Sequence, residues 1–177
     1  DLDGDDGGTG GGGGGTGGSG SGGNGGSGTG GGSSACFDYT GFDGSSPAVS
    51  LRADVMPVLQ TSCTFAASCH GAESGSAGGF YLGPSMGTSP TDMQIQALLA
   101  QTVGADPAIA AGMPRITASD PAQSFLMHKM DGTVGCADLA CAAGASCGQT
   151  MPPAQPIIAQ DRRDTVRRWI AQGAQDN

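Results

Sequence analysis

Residues 1–34 read DLDGDDGGTGGGGGGTGGSGSGGNGGSGTGGGSS, with no apolar side chain after Leu2. Twenty of the chain's 35 glycines fall in the first 32 positions. Such a stretch cannot bury enough surface to offset the entropy of ordering it. The sequence therefore divides into a Gly/Ser/Thr-rich tether over 1–34, expected to be disordered, and one folding unit over 35–177. Everything that packs must come from the second part, which is the size of a single small domain.

That part is poor in large side chains. Aromatic residues make up 5% of the chain, and Ala and Gly dominate. A core built from so little needs disulfides or a buried cofactor to reinforce it. The six cysteines suit that need and favour an oxidising compartment. Net charge is −9; with the tether's four acids set aside, twelve acidic residues face seven basic ones. This balance argues against nucleic acid, which selects for basic surfaces. No apolar run approaches the roughly 18 residues of a bilayer span. With no initiator Met or signal peptide, the chain is expected to be already processed. We expect an exported protein in the periplasm, on the outer membrane surface or outside the cell. A lipid anchor upstream of Asp1 would suit such a tether, and its glycine runs could also support self-assembly.

The tether holds two accidental motifs. Gly23-Asn24-Gly25-Gly26-Ser27-Gly28 satisfies G-x-G-x-x-G but has no strand before it and no helix after it. Asp1, Asp3 and Asp5 alternate like a calcium loop, yet the downstream Gly and Glu are missing.

Helical signals begin after Pro47. Val55, Val58 and Leu59 share a face, and Pro57 starts or kinks that helix, with Cys63 near its end. AESGSAGGFYLGPS reads as a loop with Phe80-Tyr81-Leu82 extended. A second helix is capped by Ser89, with Pro90 first, Asp92 in its first turn, and Ile95, Leu98, Leu99 and Val103 as its stripe. A third takes Ser119 or Asp120 as cap and Pro121 in its first turn; Phe125, Leu126 and Met130 face inward and Gly132 stops it. The last runs from about Asp161 to Gln172 on Val166, Trp169 and Ile170, with Gly173 as its stop. The expected fold is an all-α small domain with long loops.

One segment carries chemistry. CTFAASCHG, residues 63–71, sets His70 directly after a second cysteine, as in the haem-attachment pattern C-x-x-C-H. Here five residues, not two, separate Cys63 from Cys69. Along a helix that span is about 9 Å rather than about 4.5 Å. Both thiols could reach one porphyrin edge only if Thr64–Ser68 bulged out. Two other readings stay open: a Cys63–Cys69 disulfide that leaves His70 idle, and zinc, which the lack of a second histidine near Cys136, Cys141 and Cys147 disfavours. Met151, in TMPP, offers a soft sixth ligand.

From about residue 50 to 174 the chain resembles a class I mono-haem cytochrome c of the secreted bacterial type. The resemblance rests on PVLQTSC…SCHG, on SDPAQSFLMHKMDG over 119–132, on Met151-Pro152, and on WIAQGA over 169–174. It implies a four-helix cytochrome c-like fold with one haem c. Cys63 and Cys69 would carry the thioethers, and His70 and Met151 would be the axial ligands. Phe80, Leu82, Leu98, Leu99, Leu126 and Trp169 would wall the haem pocket. The expected function is one-electron transfer between redox partner proteins, without catalysis. The alternative is a haem-less, disulfide-stapled structural or filament-assembly module.

Met113 is expected in the core and His128 on the surface, each being a less favoured axial ligand. Cys36, Cys136, Cys141 and Cys147 are expected to form two disulfides, with three pairings open. Arg162, Arg163, Arg167 and Arg168 read as a solvated helix face, or one that meets haem propionates or an acidic partner.

Overall fold

The computed structural model describes residues 36–136, 139–142 and 146–177. The tether expected over 1–34, and the two motifs within it, lie outside the described residues. Four α-helices follow one another: α1 (Met56–Ser62), α2 (Asp92–Thr102), α3 (Phe125–Asp131) and α4 (Gln160–Ala171). An antiparallel pair, β1 (Ala110–Ala111) with β2 (Ala140–Cys141), joins two loops. The described residues are thus mostly helical with one small sheet, which the all-α expectation did not include.

Pro57 shapes the entry to α1. It has no N–H to offer the Ala53 carbonyl, and the turn before it, Leu51–Val55, widens into a π turn. Ser50 caps that turn by accepting from Ala53 N–H, and Asp54 accepts from Ser50 N–H at 2.8 Å. In α2 the cap is Thr91, not Ser89. Thr91 accepts from Gln94 N–H while the Gln94 side chain accepts from Thr91 N–H, so the closed capping box sets the start.

Asp120 caps a 3-10 turn over Pro121–Gln123, and Ser124 separates it from α3. Gly132, at φ 70°, ends α3 in the left-handed conformation expected of a glycine stop. Gln160–Ala171 matches the expected last helix to within a residue at each end.

Leu51, Val55, Leu59, Ile95, Leu98, Val166, Trp169 and Ile170 interlock in the main core. A smaller cluster gathers Ala110, Met113, Phe125 and Cys147. Two disulfides, Cys36–Cys136 and Cys141–Cys147, resolve the three open pairings. Both chain flanks clasp the helical core. Gln172 binds three carbonyls of the strap before α1, those of Gly44, Ser45 and Pro47. Asp176 pairs with Arg52 at 2.7 Å.

Candidate functional site

The chain leaves α1 at Cys63 and bulges. Thr64 is fully buried and donates its hydroxyl to the Pro84 carbonyl at 2.9 Å, which roots the loop. Cys69 N–H donates to Ala66 O at 3.0 Å, and His70 N–H returns to Cys63 O at 3.1 Å. The 9 Å helical span is replaced by a closed loop that sets His70 against the end of α1. Gly71 permits the closure: a Cβ there would lie 2.7 Å from Ser85 Oγ and 3.1 Å from Thr64 O. Phe65, at the crest of the bulge, is 51% exposed.

His70 is buried, its ring 4.3 Å from that of Phe80. Its Nδ1 lies 3.4 Å from the Phe80 carbonyl, so that nitrogen carries the proton and donates, and Nε2 keeps its lone pair. Burial holds the imidazole below its usual titration range, hence neutral. Cys63 and Cys69 are both free thiols. Burial first, and the neighbouring Cys69 second, push the Cys63 thiol up to about 12. A thiol kept protonated in this way resists oxidation.

These groups share one cavity of about 480 Å³. Its lining brings together Cys63, Cys69 and His70 with Met151, which lies about eighty positions away in sequence. Phe80, Leu82 and Leu126 line it as well. Leu98, Leu99 and Trp169 do not: Leu98 and Trp169 belong to the main core, and Leu99 packs against it half-buried. Their heptad-like spacing served helix packing, and spacing alone cannot separate that from pocket lining.

Met113 packs in the smaller core cluster, as expected. His128 is not on the surface. It is 8% exposed, with Nδ1 3.1 Å from Thr133 Oγ1 and 3.2 Å from the Thr133 carbonyl, and Nε2 3.0 Å from the Ala122 carbonyl. It bridges the two ends of α3 and does not line the cavity.

The arginine cluster also departs from expectation. Arg167 has no exposed side-chain surface; its Nη2 donates to both Asp131 carboxylate oxygens, at 2.8 and 2.7 Å, and its guanidinium lies 3.6 Å over the Phe37 ring. Arg163 joins the same carboxylate at 2.6 Å. Arg162 donates to Thr61 Oγ1 and Arg168 to Asp43 O. The signal for this network was Asp131 together with the aromatic run of Phe37, Tyr39 and Phe42. The cations that line the cavity are instead Arg115 and Lys129. Arg115 lies 4.7 Å over the Phe80 ring, and its buried Nε has no partner among the described residues. Both side chains were unremarkable in the sequence, since each is a single charge in an apolar stretch.

Among the described residues no three His, Cys, Asp or Glu side chains gather into a metal-holding cluster, and no helix is long and apolar enough to cross a membrane. Comparison with family models, curated proteins and solved structures finds no match to this chain.

Proposed function

We propose that the chain is a one-electron carrier with a cytochrome c-like arrangement, in which Cys63 and Cys69 bind one haem c covalently and His70 and Met151 are its axial ligands. The observation that carries this reading is one apolar cavity lined by two thiols, a neutral imidazole and a thioether. Its volume falls within the roughly 300–1,000 Å³ of small-molecule and cofactor sites. The donor set also fits: two free thiols for attachment, an imidazole with a free Nε2 and a soft neutral sulfur. When bound, the group would supply a one-electron couple at its iron.

The chain's own residues would do the rest. Each thiol would form a carbon–sulfur bond to a vinyl carbon and pass its proton to the adjacent carbon, so attachment consumes no oxidant. The Phe80 carbonyl would fix the His70 ring plane and keep Nε2 available. Met151 would favour the reduced state, and Phe80, Leu82 and Leu126 would exclude water, which raises the potential further. Arg115 and Lys129 would balance anionic groups on the occupant. With His70 and Met151 both holding the group, the protein would pass electrons to redox partner proteins rather than act as an enzyme. Two disulfides fit an oxidising, exported environment.

The test is intact mass and colour of the denatured full chain, produced in a host that attaches haem. A red protein heavier by one haem is expected, with Cys63→Ala cutting attachment to one thioether or none. A colourless chain lighter only by the hydrogens of its cystines would reject the reading in favour of a disulfide-stapled structural module.

A further inference from the structure

Met151 reaches the cavity from a loop that has little secondary structure of its own. The segment from Cys147 to Met151 meets α3 at two points, and one residue supplies both. Lys129 Nζ donates to the Cys147 carbonyl at 3.1 Å, and Met151 N–H donates to the Lys129 carbonyl at 2.8 Å. Between those points Gly148, at φ +79°, passes so close that a Cβ would lie 2.8 Å from Nζ and 3.2 Å from Ile109. Lys129 is 6% exposed and lines the cavity. Its ammonium has three donors, of which one is used, and no carboxylate pairs with it among the described residues. Its other company is the Phe125 ring at 5.6 Å. A buried cation with donors to spare is costly unless an anionic group meets it.

We infer that Lys129 is the positioning residue of Met151. Its carbonyl and its ammonium clamp both ends of segment 147–151, and the same ammonium bonds an anionic group on the cavity's occupant. Filling the cavity and seating Met151 therefore reinforce one another. The identity of the occupant rests on the haem reading; the clamp does not.

Lys129→Met keeps the aliphatic stem and the backbone carbonyl but removes the ammonium. Gly148→Ala removes the room the ammonium needs. In the full chain, either change should speed hydrogen exchange at the Met151 amide at least tenfold, while the Leu98 amide of α2 stays unchanged. Haem loading should protect the Met151 amide in the parent and fail to do so in Lys129→Met. In the haem-bearing protein, imidazole should displace Met151 at a concentration at least tenfold lower in both variants. Unchanged exchange in both variants overturns the clamp, whether or not the chain binds haem. Faster exchange with unchanged imidazole affinity in a haem-bearing protein overturns the positioning role. A parent without haem defeats the functional reading alone, and the exchange result then decides the clamp by itself.

Discussion

The helices α1, α2 and α4 are held by burial, whereas the stretch that connects α2 to α4 adds covalent and polar ties to it. The three helices carry apolar stripes that close on one another, and the side chains of Ile95, Leu98, Val166 and Ile170 are removed from water altogether. The described residues of 104–159 contain one seven-residue α-helix, two short 3-10 turns and a two-residue strand pair. Ile116, Leu126, Met127, Met130 and Ile158 join the main core, and a second, smaller apolar cluster lies beside it. Covalent and polar ties add to that burial: the Cys141–Cys147 disulfide, the Cys136 end of the other disulfide, the two-point contact at Lys129, and Asp131 under two guanidiniums. The cavity draws lining from both, with Cys63 and Thr102 from the first and Leu126, Lys129 and Met151 from the second. A chain poor in large side chains can pack its helices by burial, and it fastens the loops between them at further points, where they shape a pocket.

The sharpest way to break this contrast is to remove the long-range disulfide. Cys36→Ala with Cys136→Ala opens a bridge between residues 100 apart in sequence. It should cost about 4–5 kcal/mol, against about 2 kcal/mol for opening the six-residue separation of Cys141–Cys147. Urea unfolding of both double variants checks the ratio, and equal losses would show that closure length is not what matters. Next comes Asp131→Asn, which leaves the fully buried Arg167 without its main counter-charge. A loss of about 3 kcal/mol is expected in the same assay.

Leu98→Ala and Leu126→Ala separate the two regions more finely. Both should destabilise by about 2–4 kcal/mol. Only Leu126→Ala should change the visible spectrum or potential of a haem-bearing protein, because only Leu126 lines the cavity. A spectral change from Leu98→Ala would merge the core and the pocket into one unit. The smallest effect belongs to the surface. Asp176 is held below the usual carboxylate range by its hydrogen bond to Arg52. That lowered value adds stability above the ordinary carboxylate range of about 3.9, which is lost as pH falls through the folded value. Asp176→Asn should flatten this acid limb slightly, by well under 1 kcal/mol, with no effect at alkaline pH.

The first region was largely legible in the sequence. The stripe of α4 is a local signal, and it places both ends of that helix to within a residue. The α2 start slipped by two positions because Ser89 and Thr91 are equally good caps by type, and only the Gln94 partner decides between them. The second region was legible at Asp120 and Gly132, and otherwise as an inventory. Two-residue strands carry no alternation to read, and an even cysteine count gives the number of bridges but not their pairing. Cys63, Cys69, His70 and Met151 were picked out as a set, and the folded chain brings them to one cavity. The residues around them were harder. Leu98 and Trp169 have the right type for a pocket wall but lie in the core, and Arg167 has the wrong type for burial but is sealed beneath Phe37. Burial of a charge depends on partners distant in sequence, which no local window contains.

The loop closed by Cys36 and Cys136 encloses Cys63 and Cys69. A chain delivered N-terminus first offers Cys36 these two thiols before Cys136 exists as a competitor. Shorter closure is favoured entropically, by about 1 kcal/mol over the correct long one. Thioether formation would retire both early rivals from thiol exchange. In this molecule cofactor attachment would then act as an editor of oxidative folding, and the order of the two covalent events would decide how much of the product carries Cys36 on the right partner.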